Sequence, residues 1–268
     1  MGKKRLDELL VEKELAENIE KAKRLVMAGL VFSKQERLDK PGMKIDENAN
    51  LWVKDKKSPY VGRGGLKMEK ALSYFSITAQ NKTFMDVGSS TGGFTDCALQ
   101  HGAVLSYAID VGYNQLHWKL RSDKRVIVME RTNFRYVTED MLTKGRPNLA
   151  AIDVSFISLE LILPVLKRLL QDNSDVIALI KPQFEAAKEE VEEGGIVRNK
   201  HIHLSVIKKI IAFAENQGYD FLDVTYSPIT GTEGNIEFLA HFSWNKENGH
   251  LKPVHIEDIV EQAHADLL

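Results

Sequence analysis

Residues 84–94 read FMDVGSSTGGF, an apolar run that leads directly into a glycine-rich turn. The run predicts a buried strand, and the residues after the turn predict the start of a helix. Gly88 lets the chain turn sharply, and Gly92 and Gly93 let a ligand approach the backbone. Ligands of open parallel sheets bind beyond the carboxyl ends of the strands. The stretch therefore predicts a ligand-binding loop at the first strand of an α/β sheet.

Strands and helices alternate after this loop. Segments with helical spacing separate further apolar runs, which lie at residues 106–111, 125–130, 149–156 and 176–182. Such repeated units predict a parallel sheet with helices on both faces. Two last runs, at 220–229 and 235–244, are joined by a glycine-rich turn that indicates a hairpin. The predicted fold is therefore α/β, with a mostly parallel sheet whose last strand is antiparallel.

The beginning of the chain has a different pattern. Residues 5–15 and 18–28 have helical spacing, with Asn18 as a candidate N-cap and Gly29 as a candidate stop. Short apolar runs follow, which together predict a small α+β module. A basic, glycine-rich stretch then indicates a linker. The predicted division is a module over 1–57, a linker over 58–65, a larger domain over 66–246 and a helical tail over 247–268.

Charge is distributed unevenly along a chain of ordinary globular composition, with 43% hydrophobic and 28% charged residues. Residues 1–70 carry 17 Lys and Arg against 12 Asp and Glu, whereas the remainder carries 19 against 26. A basic module on an acidic body is compatible with contact to nucleic acid phosphates. A solvated basic face would have the same composition, so charge alone leaves both interpretations open.

Several classes of protein are disfavoured by what the sequence contains. No stretch approaches the ~18 apolar residues of a membrane span, and no signal peptide is visible, so we expect a cytoplasmic protein without membrane contact. One cysteine, Cys97, excludes an internal disulfide framework and a multi-cysteine metal site. His201 and His203 form only an H-x-H pair without a third ligand, and we expect both to be exposed. We therefore expect no bound metal.

Polar residues at the ends of the predicted strands point to a nucleoside-containing cofactor. Asp110 ends the second strand, where a carboxylate can accept hydrogen bonds from both hydroxyls of an adenosine ribose. Ser90 stands where the dinucleotide fingerprint has its second glycine, which disfavours NAD. The end of the third strand lies where adenine would bind. The predicted cofactor-binding residues are Asp86, Gly88, Ser89, Ser90, Gly92, Gly93, Phe94, Asp110, Glu130, Arg131 and Asn133.

Four charged residues lie at element ends on, or beside, the same edge of the sheet. Lys67 opens the helix before the first strand, and Asp153 and Lys181 end the fourth and fifth strands. Glu237 begins the last strand. One such residue usually caps a surface, but four of them beside a ligand loop indicate an active site.

Six segments resemble one known family, the TlyA family, historically called hemolysin A. They are VGRGGLKMEKAL, FMDVGSSTGGFTDC, AIDVGYNQL, AIDVSFISL, LIKPQFE and the Gly-Asn-Ile-Glu segment. The resemblance covers essentially the whole chain. It implies a Rossmann-like class I methyltransferase domain of the FtsJ/RrmJ kind, preceded by an RNA-binding module of the alpha-L type.

The resemblance also implies a reaction and a set of site residues. The family's Lys-Asp-Lys-Glu tetrad falls on Lys67, Asp153, Lys181 and Glu237. The methyl donor would be S-adenosylmethionine, and the acceptor a cytidine ribose 2′-hydroxyl of ribosomal RNA, presented free or in ribosomal subunits. The family's arginine at the start of the second helix is absent from the segment AENIE at 16–20. The predicted RNA-binding residues are Arg5, Lys21, Lys23, Arg24 and Arg63.

Two roles remain open for Lys181, and three alternatives remain open for the protein. Neutral Lys181 could accept the hydroxyl proton, or charged Lys181 could stabilise the developing alkoxide. The alternatives are an NAD-dependent oxidoreductase, a membrane-lysing toxin and a non-catalytic RNA-binding factor in ribosome assembly. The sequence leaves the oligomeric state open.

Overall fold

The structure is a computed structural model that describes residues 2–33, 36–53, 59–231, 233–245 and 253–267. The chain forms two compact units, Met1–Ser58 and Pro59–Leu268. Parts of four predicted segments lie outside the described residues: the end of the module, the start of the linker, one residue of the hairpin turn and part of the tail. These are residues 54–57, 58, 232, and 247–252 with 268; residue 246, the last of the predicted larger domain, also lies outside them.

The first unit contains two short helices and short antiparallel strands, which run as β1 (Lys3–Arg5), α1 (Leu6–Glu12), α2 (Ile19–Met27), β2 (Val31–Ser33), β3 (Glu36–Arg37), β4 (Lys44–Asp46) and β5 (Leu51–Val53). Strand β1 pairs with β4, and β2 pairs with β3 and β5. The Asn18 side chain accepts a hydrogen bond from the Lys21 amide, and Gly29 has φ +70°. Both confirm the predicted limits of α2. Leu6, Leu10 and Val26 are fully buried in its core.

The second unit is built on one large sheet. Its strands are β6 (Thr83–Val87), β7 (Leu105–Ile109), β8 (Val126–Met129), β9 (Leu149–Ile152), β10 (Ser174–Ile180), β11 (Tyr219–Tyr226) and β12 (Phe238–Trp244). Its helices are α3 (Gly64–Tyr74), α4 (Gly93–Gln100), α5 (Trp118–Arg121), α6 (Leu163–Leu169), α7 (Pro182–Glu185), α8 (Lys200–Asn216) and α9 (Ile256–Leu267). In the described part of the chain, the sheet has the strand order β11-β12-β10-β9-β6-β7-β8.

The strand order creates a crevice beside β6. The chain runs from β6 through β7 to β8 on one side, then crosses to β9 and β10 on the other. Strands β6 and β9 are parallel neighbours, and β12 runs antiparallel to both β10 and β11. The predicted mostly parallel sheet with a reversed last strand is thereby confirmed. Doubly wound sheets bind ligands at such a switch point.

Two hydrophobic cores lie on the opposite faces of the sheet. Alternate residues of β6 enter different cores, because successive side chains of a strand point to opposite faces. Phe84 packs on the side of α3 and α4, while Met85 and Val87 pack on the side of α6, α8 and α9. All three are almost completely buried, and burial of one such side chain contributes about 1.5–3 kcal/mol. The cores hold β6 firmly below the glycine-rich loop.

Some elements differ in length from the predicted ones. The helix expected before β8 is the single turn α5, and the helix expected over 159–170 is divided. A 3-10 turn covers Leu159–Leu161, and α6 starts two residues later with Pro164 in its first turn. Proline fits this place because amides of the first turn have no partner within the helix. Tyr60 is buried, and the Val61 amide donates to Asp96, so residues 59–65 of the predicted linker pack within the second unit.

The expectation that both histidines of the H-x-H pair are exposed is wrong for one of them. His201 is exposed, but His203 is fully buried on the inner face of α8. Its Nε2 lies 2.9 Å from the Val197 carbonyl oxygen and its Nδ1 lies 2.9 Å from His264 Nε2 in α9. Helix α9, which belongs to the predicted tail, therefore covers this histidine.

Within the described ranges, no helix is long and apolar enough to cross a membrane. In the same ranges, no cluster of three or more His, Cys, Asp or Glu is placed to hold a metal ion.

Candidate active site

A cavity opens at the carboxyl ends of β6, β7 and β9, where the sequence predicted the ligand loop. It encloses about 430 Å³, which lies within the usual range for small-molecule sites. The predicted residues that line it are Gly88, Ser90, Asp110, Asn133 and Asp153. The fold explains the position of the cavity. Gly88, Asp110 and Asp153 come directly after β6, β7 and β9, which are neighbours in the sheet.

The carboxylate of Asp110 is held in place by the two loops beside it. Its Oδ2 accepts a hydrogen bond from the Ser90 amide at 2.7 Å, and its Oδ1 accepts one from the Gly112 amide at 2.7 Å. Each carboxylate oxygen has two acceptor sites, so both retain capacity for a further donor. A pair of hydroxyls, such as those of a ribose, meets this requirement.

The glycines of the loop serve mainly to bring backbone segments together. A Cβ on Gly88, at φ +87°, would lie 2.3 Å from the Asp153 carbonyl oxygen. A Cβ on Gly92 would lie 2.2 Å from Leu120 Cδ1, and one on Gly93 would lie 2.7 Å from the Gly65 amide nitrogen. Gly92 and Gly93 therefore allow the loop to pack on α5 and α3. Neither lines the cavity, although the sequence suggested that they admit a ligand.

Asp86 lies below the loop and is buried. Its Oδ2 accepts hydrogen bonds from the amide and the hydroxyl of Thr95, at 2.9 and 2.7 Å. Its Oδ1 has no hydrogen-bond partner among the described residues. Burial raises the pKa of Asp86 to about 7. The side chain thus has an open acceptor next to the loop, but it does not line the cavity itself.

The remaining predicted cofactor residues do not line the cavity. Glu130 accepts a hydrogen bond from Arg121 at 2.6 Å and one from the Gln115 amide at 3.1 Å. The hydrogen bond from Arg121 lowers the pKa of Glu130 to about 2. Arg131 lies over the Tyr113 ring, 4.0 Å from its centre. Ser89 and Phe94 are buried outside the cavity.

The four charged residues predicted for the active site form two ion pairs. Lys181 Nζ lies 2.6 Å from Asp153 Oδ1, and Lys67 Nζ lies 2.5 Å from Glu237 Oε2. The side chains of both lysines are only 10% exposed. Buried charges are stable only with partners of this kind. The structure therefore pairs each lysine with a carboxylate: Lys181, directly after β10, with Asp153, directly after β9, and Lys67, in the first turn of α3, with Glu237, directly before β12.

Sequence reasoning missed Ser155, which contacts the tetrad directly. Lys181 Nζ donates to Ser155 Oγ at 3.1 Å, and Ser155 lines the cavity two residues after Asp153. The next residue, Phe156, is 90% exposed and has φ +62°. The available signal was a hydroxyl residue two positions after Asp153 and an aromatic residue three positions after it. Neither residue type is distinctive at the end of a strand.

The predicted RNA-binding residues are divided between the units. Lys23 and Arg24 are exposed on α2, and Lys21 is half-buried there. Arg5 is exposed but donates to the buried Asp7 at 2.7 Å, so part of its charge is neutralised within the first unit. Arg63 is exposed directly before α3, in the second unit.

Comparison with known proteins assigns the larger unit to a family. Residues 60–244, more than half of the chain, match the model of the FtsJ-like methyltransferases. The chain belongs to the FtsJ-like methyltransferase family. This methyltransferase also matches the S4 domain over residues 4–51. The family confirms the predicted resemblance and makes the NAD-dependent oxidoreductase alternative wrong.

Relatives resemble the methyltransferase along nearly its whole length. YqxC of Bacillus subtilis is 58% identical over 99% of this chain and 95% of its own. A Mycobacterium tuberculosis protein, named 16S/23S rRNA (cytidine-2′-O)-methyltransferase TlyA, is 36% identical over 97% of this chain and 96% of its own. A solved structure from Streptococcus thermophilus, described as that of a hemolysin, is 49% identical, with a TM-score of 0.76, over 99% of this chain and 97% of its own.

The methyltransferase uses S-adenosylmethionine as its methyl donor. Two observations support the fit of this molecule to the site. The cavity has the volume of a small-molecule site, and Asp110 has spare acceptor capacity at its edge.

Proposed function

We propose that this methyltransferase methylates the ribose 2′-hydroxyl of a cytidine in ribosomal RNA. The observation that carries the proposal is the pair of buried ion pairs, Lys181–Asp153 and Lys67–Glu237, of which Asp153 also lines the cofactor cavity. The name of the tuberculosis relative supports the choice of acceptor, since it specifies a cytidine 2′-oxygen of ribosomal RNA.

The cofactor is held at the crevice between β6 and β9 in this proposal. Four residues that line the cavity would hold it: Asp110 would accept hydrogen bonds from the two ribose hydroxyls, Asn133 would contact the adenine, and Gly88 and Ser90 would border the remainder. Asp86 acts indirectly, because its hydrogen bonds from Thr95 hold the start of α4 behind the loop. Glu130 supports the cavity through its hydrogen bond from the amide of Gln115, a lining residue. When bound, S-adenosylmethionine supplies a methyl group that its sulfonium charge has already activated.

Lys181 then orients the attacking oxygen. A lysine ammonium has three N–H groups, and Asp153 and Ser155 each accept one of them. The third remains to donate to the ribose oxygen, and it stabilises the negative charge that develops on this oxygen as the hydroxyl proton passes to a solvent water molecule. The ion pair thus supports a charged, stabilising Lys181 over a neutral base.

The first unit supplies RNA binding. The S4 match within it supports assigning this task to residues 1–57 and methyl transfer to residues 66–246, with a helical tail over 247–268. Basic residues on α2, together with Arg5 and Arg63, contact phosphates in this proposal, and such contacts weaken as salt concentration rises. The substrate is ribosomal RNA within a subunit, which places the enzyme in the cytoplasm.

Methyl transfer to purified ribosomal subunits that lack the modification tests the proposal. Tritiated S-adenosylmethionine should label one or both subunits with the parent protein. Lys181→Ala should lower the transfer rate by about 100-fold or more, because removal of one charge-stabilising donor costs about that much. Its cofactor affinity, measured by titration calorimetry, should stay within twofold of the parent value.

Lys167→Ala is the matched control. This half-buried lysine of α6 donates to the Gln217 carbonyl oxygen at 3.0 Å, and it does not line the cofactor cavity. The variant should transfer methyl groups at the parent rate. Binding of cofactor and subunits by the parent without transfer of label would instead support the alternative of a non-catalytic assembly factor.

A further inference from the structure

The segments that follow β9 and β10 are joined at the catalytic end by Lys181. Its amine contacts both Asp153 and Ser155 of the first segment, at 2.6 and 3.1 Å. Three residues further along, Phe184 packs against Phe156, with ring centres 4.8 Å apart and ring planes inclined at 45°. The position of Lys181 therefore depends on where the segment after β9 lies.

The contacts of Lys181 form one junction between the two segments. A second junction holds the end of the segment that follows β9. Glu185, the last residue of α7, accepts a hydrogen bond from the Ser158 hydroxyl at 2.7 Å and one from the Leu159 amide at 2.8 Å. The two contacts use different carboxylate oxygens. Ser158 Oγ also accepts a hydrogen bond from the Glu160 amide, which starts the 3-10 turn Leu159–Leu161. Glu185 thus fixes the point at which the segment ends.

The segment between the two junctions contains a backbone conformation that is unfavourable for a residue with a large side chain. Phe156 has φ +62°, in the left-handed region that large side chains rarely adopt, and its side chain is 90% exposed. Such a conformation persists only where the surroundings determine it. Asp153 is held before it by Lys181, and Ser158 and Leu159 are held after it by Glu185. The two junctions together explain how this turn is maintained.

Burial of the Glu185 carboxylate lowers the stability of the folded protein unless hydrogen bonds compensate for it. The residue is 6% exposed, and burial raises the pKa of its carboxyl. A buried carboxylate is destabilising unless hydrogen bonds compensate for the lost water. An apolar residue would fill the same space at lower cost but would leave the Ser158 hydroxyl and the Leu159 amide without this acceptor. The chemistry of the residue therefore matters at this site, in addition to its volume.

We propose that Glu185 is a positioning residue for methyl transfer, which holds the segment 153–159 so that Asp153 and Ser155 keep Lys181 aligned. The proposal rests on the role of Lys181 in the proposed function. Glu185 acts through Ser158 and Leu159, and it does not line the cofactor cavity.

The kinetic test uses Glu185→Gln, Ser158→Ala and Ser158→Thr. Glu185→Gln and Ser158→Ala should each lower kcat about 10- to 100-fold, since small misplacement of a catalytic group costs this much. The KM for S-adenosylmethionine should change less than twofold. Ser158→Thr keeps the hydroxyl and should retain most of the parent kcat. The double variant Glu185→Gln with Ser158→Ala should be no slower than the slower single variant, because both remove the same junction.

Asp175→Asn provides a control for a merely structural effect. Asp175 is also a buried carboxylate, 7% exposed, and lies near the opposite end of β10 from Lys181. Its Oδ1 lies 3.0 Å from His241 Nε2. This variant should lower the melting temperature and leave kcat of the folded protein unchanged. An equal loss of kcat in Asp175→Asn and Glu185→Gln would overturn the proposal.

Chemical labelling of lysines provides a measurement that does not depend on activity. Brief acetylation with acetic anhydride, read by peptide mass spectrometry, compares Lys181 with Lys67, whose side chains are both 10% exposed. Glu185→Gln should increase labelling of Lys181 several-fold and leave Lys67 unchanged. If the parent transferred no methyl group, the proposed function would fail, and the labelling would still decide the role of Glu185. Unchanged labelling and kcat in folded Glu185→Gln would overturn that role.

Discussion

Gly88 connects the cofactor loop to the catalytic edge of the sheet at the scale of a single residue. Its φ of +87° turns the chain after β6, and a Cβ there would lie 2.3 Å from the Asp153 carbonyl oxygen. A glycine after a buried strand predicts the turn. The close approach to Asp153 depends on the pairing of β6 with β9, which the local sequence does not specify.

Gly88→Ala should lower the free energy of unfolding more than Gly194→Ala does. Both glycines have φ +87°, but a Cβ on Gly194 would have nothing within 4 Å. Alanine costs roughly 1–2 kcal/mol in the left-handed region, and overpacking adds roughly 1–3 kcal/mol at Gly88 alone. Urea unfolding of the two variants measures the difference. Equal destabilisation would show that Gly88 is needed only for its backbone conformation.

The sequence indicated the charged residues of the candidate site, but it did not indicate which of them contact each other. A charged residue at the end of an apolar strand is visible in the sequence, and this pattern identified Asp153 and Lys181. Lys67 and Glu237, however, are 170 residues apart, and no local pattern pairs them. Ser155 and Glu185 were not identified, because neither a hydroxyl after a strand nor a single carboxylate at the end of a short helix has a distinctive spacing.

Helix α9 is joined to α8 by a contact between two histidines, the buried His203 and the half-buried His264. The two rings are 5.0 Å apart, and His203 also contacts the Val197 carbonyl oxygen. His203 Nε2 must donate to that oxygen, so its Nδ1 accepts from His264 when His203 is neutral. Burial lowers the pKa of His203 to about 4, from an ordinary value of 6.5. Protonation of His203 would remove the acceptor that connects the two helices.

This element-scale contact predicts a pH dependence of stability. The pKa of His203 is lower in the folded state, so the unfolded chain binds the proton more tightly. The stabilisation is present above pH 6.5 and is lost as the pH falls from about 6.5 towards about 4. The melting temperature of His203→Gln should therefore depend less on pH in this interval than that of the parent.

His201→Gln is the control for this measurement, since His201 lies in the first turn of the same helix and is exposed. Its melting temperature should follow the parent at every pH. Other groups, including Asp86, titrate in the same interval in all three proteins, so the difference between variants is the decisive quantity. A His203→Gln protein with the parent slope would contradict the assignment.

At the scale of the whole molecule, the two units have separate hydrophobic cores. Leu6, Leu10 and Val26 contribute to the core of the first unit, and the cores on the two faces of the large sheet belong to the second. We therefore expect residues 59–268 to fold alone, since domains with their own cores generally can. The residues that line the cofactor cavity all lie in this unit.

Deletion of residues 1–58 should separate cofactor binding from RNA binding. The cofactor Kd of the shortened protein should stay within twofold of the parent value, while the KM for the RNA substrate should rise at least tenfold. Its RNA affinity should also depend less steeply on salt, since fewer phosphate contacts remain. Calorimetry and filter binding at several salt concentrations measure these quantities.

Full-length protein carrying Lys21→Glu and Arg24→Glu serves as the matched variant. Both residues lie on α2, and Arg24 is exposed. The charge reversal should reproduce the RNA-binding defect of the deletion without loss of the unit. Parent-like affinity and salt dependence in both proteins would show that the first unit does not bind the substrate.

The sequence by itself determined the α/β class, the glycine-rich ligand loop and the charged residues at strand ends. These features are local, because neighbouring residues determine the periodicity of strands and helices, the chemistry of turns and the ends of strands. Only the tertiary structure decided which charges pair, that His203 is buried under α9, and that Glu185 holds the segment after Asp153. Each of these depends on strand order and helix packing, which bring together residues 26 to 170 positions apart.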